Sequence, residues 1–121
     1  PPPPAPSCEA ESFVVYFEWD RSELTSQAQQ VIAQAVEQAE ECNVASVMIA
    51  GHADRSGPAA YNVGLSERRA RTVRDEMIRL GVPGAAVNLE AFGESRPAVE
   101  TPDGVREPLN RRSEVTIDLR N

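Results

Sequence analysis

The residues best suited to bind a ligand lie where an apolar segment passes into a helical pattern. Asp54 follows the apolar run 47–50 and stands in a turn between two glycines. Asn62, Ser66 and Arg69 follow at intervals of four and three residues, so they share one face of a helix. An acid and a guanidinium that face one turn suit a zwitterion. The acid takes an ammonium, and the guanidinium takes a carboxylate through two parallel hydrogen bonds.

Four strands are predicted around this turn. The segments 12–17, 45–50, 86–92 and 113–119 are β-branched, aromatic or alternate between apolar and polar residues. With a helix after each of the first two strands, the order is β-α-β-α-β-β. We therefore expect an α/β (α+β) two-layer sandwich, a mixed sheet with two long helices on one face.

Capping signals and periodicity define the two helices. The first is capped by Thr25 or Ser26 and ends near residues 42–43, and the second begins near Pro58 and ends at Gly81. The buried stripes predicted by helical spacing are Ala28, Val31, Ile32, Ala35, Val36 and Ala39 in the first helix, and Leu65, Val73, Met77 and Leu80 in the second.

Residues 1–11 are expected to form a Pro-rich linker, and residues 12–121 one domain. The only thiols are Cys8 and Cys42. A helix that returns antiparallel to the first strand brings its end close to that strand's start, so a Cys8–Cys42 disulfide is geometrically plausible. Such a bond implies an oxidising compartment.

Composition narrows the class of partner. The net charge of −7 argues against nucleic acid and anionic membranes, which need a basic surface. No apolar run approaches the ~20 residues of a membrane span. The chain has neither an initiating Met nor a signal peptide, so we expect an excised fragment. No cofactor or metal site is predicted.

The spaced motif from Gly51 through Ala70 resembles the OmpA-like domain, the peptidoglycan-binding module of bacterial cell envelopes. It reads Gly-His-Ala-Asp-x-x-Gly-x-x-x-Tyr-Asn-x-x-Leu-Ser-x-x-Arg-Ala. The segments 15–24 and 110–112 fit as well, and the resemblance covers residues 13–119. It implies a periplasmic domain of a Gram-negative outer-membrane protein, with a barrel or lipid anchor upstream, that holds this protein to the cell wall.

The resemblance also implies roles for particular residues. Asp54 would bind the side-chain ammonium of the stem-peptide diaminopimelate, and Arg69 would bind its carboxylate. The remaining ligand-binding candidates are Asn62, Asp20, Arg111 and Leu65, with Arg112 as a weaker one.

Ordinary structural roles compete with these assignments. Asp54 is also a suitable turn acid or helix cap, and it could pair with Arg69 in the free protein. Trp19 either lines the cleft or packs beneath it. We expect His52 to be a structural, hydrogen-bonding residue.

An enzyme is not expected, because Ser66 would lie inside a helix without the strained turn that presents a hydrolase nucleophile. The main alternative function is an envelope protein–protein interaction module with wall binding secondary. A hydrolase and a small ligand-sensing domain are more distant alternatives.

Overall fold

The computed structural model describes residues 8–120. Its strands are β1 (Glu11–Tyr16), β2 (Asn43–Gly51), β3 (Val87–Ala91) and β4 (Arg112–Arg120), and its helices are α1 (Ser26–Ala39) and α2 (Ala59–Arg79). Short 3-10 turns at Gly84–Ala86 and Pro108–Asn110 precede β3 and β4. None of the described helices combines the length and apolarity needed to cross a bilayer.

The four strands form one mixed sheet in the order β1-β4-β2-β3. β4 is antiparallel to both of its neighbours, whereas β2 and β3 are parallel and are joined by the crossover helix α2. The predicted element order and mixed sheet are confirmed. Because β4 lies between β1 and β2, the chain segment just before β4 runs beside the ends of both strands.

One face of the sheet packs against the helices. The inward-facing residues of β1, β2 and β4 are almost completely buried. Among them are Val15, Val47, Ile49, Val115 and Ile117. They pack with Ile32 of α1 and with Val73 and Met77 of α2 in a single apolar cluster. This core holds the ends of β1 and β2 at fixed positions, and the loops that follow these two strands build the candidate site.

The helix predictions need two corrections. Thr25 caps α1, since its hydroxyl accepts a hydrogen bond from the Ala28 amide at 3.0 Å. However, α1 ends at Ala39, earlier than expected, and Val31 is 38% exposed and lies outside the buried stripe. Val31 stands at the margin of the apolar stripe, where helical spacing alone does not separate inside from outside.

The Cys8–Cys42 disulfide is present, with Cα atoms 5.8 Å apart. It lies at the end of the sheet where β1 and β2 begin, near the pairing of Asn43 with Arg120. Residues 1–7 of the predicted linker lie outside the described residues, so the linker boundary stays a prediction.

Gly51 is required by a close approach between β2 and α2. A methyl group at this position would lie 2.0 Å from the carbonyl oxygen of Ser66. The strand therefore passes directly against the helix one residue before the turn that carries Asp54. This contact fixes the distance between that turn and the polar face of α2.

Candidate functional site

Asp54 is a buried carboxylate with both oxygens occupied. Its Oδ1 accepts hydrogen bonds from the Ser56 amide at 3.2 Å and the Ser56 hydroxyl at 2.5 Å. Its Oδ2 accepts from the Glu107 amide at 3.1 Å and from a guanidinium nitrogen of Arg111 at 3.4 Å. With only 3% of its surface exposed, Asp54 is a charged group held in place by its surroundings and not a solvated turn acid.

The residues that meet Asp54 from the far side belong to the long segment between β3 and β4. Arg55 fastens this segment through an ion pair with Glu94 at 2.8 Å, a second with Asp103, and a hydrogen bond to the Thr101 carbonyl at 3.0 Å. Asn110 closes the segment on itself by donating to the Val99 carbonyl at 2.8 Å. The segment is therefore an ordered wall of the site.

Arg69 lies beneath the site and is fully buried. Its guanidinium donates to the carbonyl oxygens of Arg21 at 2.8 Å, His52 at 3.1 Å and Glu18 at 3.2 Å. Burial lowers the pKa of Arg69 from its ordinary value to about 10, and the nearby charge of Asp54 is the largest opposing influence. Arg69 therefore remains a cation at neutral pH. It ties the loop after β1 to the turn after β2.

The internal partner of Asp54 is Arg111 and not Arg69. Arg111 also donates from Nε to the Phe17 carbonyl at 3.1 Å, so it links the ends of β1 and β2. The structure thus brings Asp54 and Arg111 into direct contact and places Arg69 behind them. Direct contact of Arg69 with a ligand stays a prediction.

Asn62 and Ser66 face the turn from α2, as helical spacing predicted, and both are buried. The Asn62 amide nitrogen donates to the carbonyls of Asp54 and Gly57, each at 3.0 Å. The Ser66 hydroxyl donates to the Val63 carbonyl at 2.8 Å and accepts from the Gly93 amide at 3.0 Å. Asn62 therefore braces the turn itself, and Ser66 fixes the start of the long segment.

A cleft of about 440 Å³ opens above the turn. Asp54, Asn62 and Leu65 lie along it, and Asp20 and Trp19 come from the loop after β1. Leu65 is 5% exposed and contributes apolar surface at the base. Asp20 has a positive φ of 54°, a conformation that short polar side chains tolerate. Trp19 lines the cleft and is not packed beneath it.

His52 has the expected structural role but not the expected side-chain hydrogen bonds. Its ring is buried and stacks on Phe92 with centroids 5.3 Å apart, and neither ring nitrogen has a hydrogen-bond partner among the described residues. Burial, followed by the nearby charge of Arg112, lowers the pKa of His52 from 6.5 to about 4. The expected hydrogen-bonding role is wrong: the imidazole is a neutral packing group. Arg112, the weaker site candidate, ion-pairs with Glu114 at 2.8 Å.

Sequence reasoning missed three contributors to the site. Ser56 had a local signal, since a side chain of Asp commonly bonds the amide two residues later. Tyr61, whose hydroxyl donates to Asp20, belongs to the sequence motif, but the motif gave it no role in the site. The Glu107 amide had no signal, because it is 53 residues from Asp54 and its side chain takes no part.

Comparison with known proteins agrees with this geometry. The model of the OmpA family matches residues 16–111. The chain belongs to the OmpA family. An outer membrane protein of Gluconacetobacter diazotrophicus is 40% identical over 114 residues, which are 89% of this chain and 30% of that protein. Outer membrane protein A of Citrobacter freundii is 35% identical over 112 residues, 87% of this chain and 47% of that protein.

Solved structures of OmpA-like domains have the same fold. The OmpA-like domain of FopA1 from Francisella tularensis superposes with a TM-score of 0.76 at 26% identity, covering 93% of this chain and 77% of that one. The peptidoglycan-associated lipoprotein from Burkholderia pseudomallei superposes with a TM-score of 0.69 at 28% identity, covering 88% and 86%.

The family assignment settles the broad class. OmpA-like domains are non-catalytic, peptidoglycan-binding modules of envelope proteins, and they are periplasmic in outer-membrane proteins. The predicted family, non-catalytic class and compartment are thereby confirmed. This chain spans less than half the length of the curated relatives named above. The activity and partners of any longer protein therefore belong to the proposal that follows.

Proposed function

We propose that this OmpA-like domain anchors an outer-membrane protein to the cell wall by binding the diaminopimelate of a peptidoglycan stem peptide. The observation that carries the proposal is the buried Asp54 carboxylate, which lines an open cleft and is ion-paired with Arg111, a residue outside the cleft lining. Binding is non-covalent, and the domain makes or breaks no bond in the wall.

The contacts of Asp54 suggest how a ligand enters. Among the described residues, Arg111 makes the longest of four hydrogen bonds to this carboxylate, at 3.4 Å. A ligand ammonium can take over that position, because the Ser56 and Glu107 donors still hold the carboxylate. Arg111, released from Asp54, then faces the ligand carboxylate. Asp54 and Arg111 thus exchange their internal ion pair for two ion pairs with the zwitterionic ligand.

The other candidates have supporting roles in this proposal. Asn62 and Arg69 hold the backbone on either side of Asp54, and Arg69 adds positive potential beneath the ligand carboxylate. Asp20 stands at the mouth, where a second acid favours an ammonium. Leu65 provides apolar surface for the aliphatic part of the diamino acid.

The position of the disulfide supports an anchoring role. It joins Cys8 to Cys42, next to the start of β2, and the other end of β2 leads directly into the turn of Asp54. The nine residues of β2 span roughly 30 Å at ~3.3 Å each. Tension between a bound wall and the chain upstream of Cys8 would pass along this interior strand, because the disulfide bypasses the edge strand β1.

Co-sedimentation with insoluble sacculi tests the proposal. We expect the wild-type domain to pellet with sacculi, and Asp54→Asn to bind about 10- to 100-fold more weakly through loss of a charge-assisted contact. Arg111→Gln should also weaken binding. Asp118→Asn removes the same charge at the far end of β4 and should bind like wild type.

Competition identifies the ligand. Free meso-diaminopimelate should release the wild-type domain from sacculi at lower concentration than glutamate does. A wild-type domain that stays in solution, or an Asp54→Asn variant that binds normally while folded by circular dichroism, would overturn the proposal. A protein partner retained by Asp54→Asn would instead favour the interaction-module alternative.

A further inference from the structure

Trp19 is the only tryptophan of the chain, and it stands at the mouth of the cleft. Its side chain is 40% exposed although the ring is large and apolar. Its Nε1 donates to the Ser56 hydroxyl at 3.0 Å, and the same hydroxyl donates to Asp54. The polar edge of the ring is therefore tied to the site carboxylate, and much of its apolar surface stays in contact with solvent.

A second aromatic ring borders the same cleft. Tyr61, in the first turn of α2, is 44% exposed, and its hydroxyl donates to Asp20, the residue that follows Trp19. Two half-exposed rings and two carboxylates, those of Asp20 and Asp54, thus lie around one opening. No Lys or Arg side chain of the described residues lines this cleft, but the guanidinium carbon of Arg68 lies 5.6 Å from the centroid of the Tyr61 ring.

The ring of Trp19 already holds a cation. The guanidinium carbon of Arg106 lies 3.4 Å from the ring centroid. Arg106 is exposed, and the next residue, Glu107, gives its amide to Asp54. A cation that sits on an aromatic face beside carboxylates is a favourable arrangement, since the ring's negative face adds to the attraction of the acids.

We propose that Trp19 and Tyr61 form an aromatic pair that binds the alkylammonium end of the ligand, with Asp20 and Asp54 as its counter-charges. Trp19 is then a specificity-determining residue that selects an amine on an aliphatic stem. In this arrangement the ligand ammonium either joins Arg106 at the ring or replaces it. The inference rests on the proposed function. It means that the domain selects its ligand chiefly by the ligand's amine.

The intrinsic fluorescence of Trp19 reports on this site directly. We expect a saturable change of emission when the domain is titrated with meso-diaminopimelate or with cadaverine, which has the two amines but no carboxylate. Pimelate, which has the carboxylates but no amine, should cause none at the same ionic strength. A response to pimelate as large as that to cadaverine would overturn the inference.

Substitutions at Trp19 measure how much its aromatic ring contributes to binding. Trp19→Leu should weaken binding to sacculi and to meso-diaminopimelate by roughly 3- to 30-fold, measured by co-sedimentation and calorimetry. Trp19→Phe, which keeps a π face, should retain most of the affinity. Tyr16→Leu removes an aromatic side chain that is 48% exposed and alternates with the buried Val15 along β1, outside the cleft, and it should leave binding unchanged.

The outcomes distinguish this inference from the anchoring proposal. If Trp19→Leu binds as wild type does while Asp54→Asn fails, the aromatic pair has no role and the anchor stands. If wild type does not bind sacculi but its Trp19 emission responds to cadaverine and not to pimelate, the amine site stands and the anchor fails.

Discussion

Arg69 offers the sharpest test of how this site is built. Its guanidinium donates to the carbonyl oxygens of Arg21, His52 and Glu18 and is 0% exposed. In Arg69→Met the aliphatic stem is roughly retained, but the buried His52 carbonyl and the partly buried Arg21 and Glu18 carbonyls lose their donor. An orphaned buried polar group costs about 1–3 kcal/mol.

If all three carbonyls bear this cost, the loss in the free energy of unfolding is about 3–9 kcal/mol, with the lower end applying if water enters the space. That is a large share of the ~5–15 kcal/mol that stabilise a typical domain. Urea unfolding followed by Trp19 fluorescence measures the loss as a lower midpoint with an unchanged slope.

Arg71→Met is the matched control. Arg71 lies two residues away on the exposed side of α2, where its side chain is 57% exposed and pairs with Glu67. Its removal should shift the urea midpoint only slightly, since exposed ion pairs contribute little. If Arg69→Met and Arg71→Met unfold at the same urea concentration, the guanidinium does not brace the two loops and our account of the site is wrong.

Further predictions concern titration, the disulfide and two glycines. Because His52 has a pKa of about 4 in the folded domain against 6.5 unfolded, the unfolded chain binds more protons between these values. Stability should therefore fall as pH drops, by about 2 kcal/mol from pH 7.5 to 5, and His52→Phe should abolish this part of the slope in pH-dependent urea titrations. Reducing the Cys8–Cys42 bond, which spans 34 residues, should destabilise the domain by about 4 kcal/mol in calorimetry, and an unchanged melting temperature would contradict this. Gly51→Ala should destabilise by more than about 3 kcal/mol because of the clash with α2, whereas Gly64→Ala, inside α2 with only a flexible side chain nearby, should raise stability by up to about 1 kcal/mol. Thermal unfolding of both variants tests the contrast.

Local patterns were sufficient for most of the secondary structure. The periodicity of α1 and α2, the Thr25 cap and the alternation in β4 each depend on neighbours within a few residues, and all agree with the structure. Val31 failed because its exposure depends on how α1 is rotated against β1. The same limit applies to His52, whose burial under Phe92 and the following segment has no local signature.

The features of the candidate site also fall into two groups: those that local spacing predicts and those that depend on tertiary contacts. Asn62, Ser66 and Arg69 were placed on one face of α2 because their spacing fixes it. That Arg69 would donate to backbone carbonyls was not predictable, because the acceptors come from two other loops, 17 to 51 residues away in the chain.

The sequence by itself determined the order of the elements, the plausible pairing of Cys8 with Cys42 and the position of Asp54 at the end of β2. Only the tertiary structure decided that β4 inserts between β1 and β2. That insertion brings Arg111 to Asp54 and leaves Arg69 buried behind them. The physical reason is that strand order and desolvation depend on contacts between residues far apart in the chain, whereas periodicity and capping record only the contacts within a turn or two.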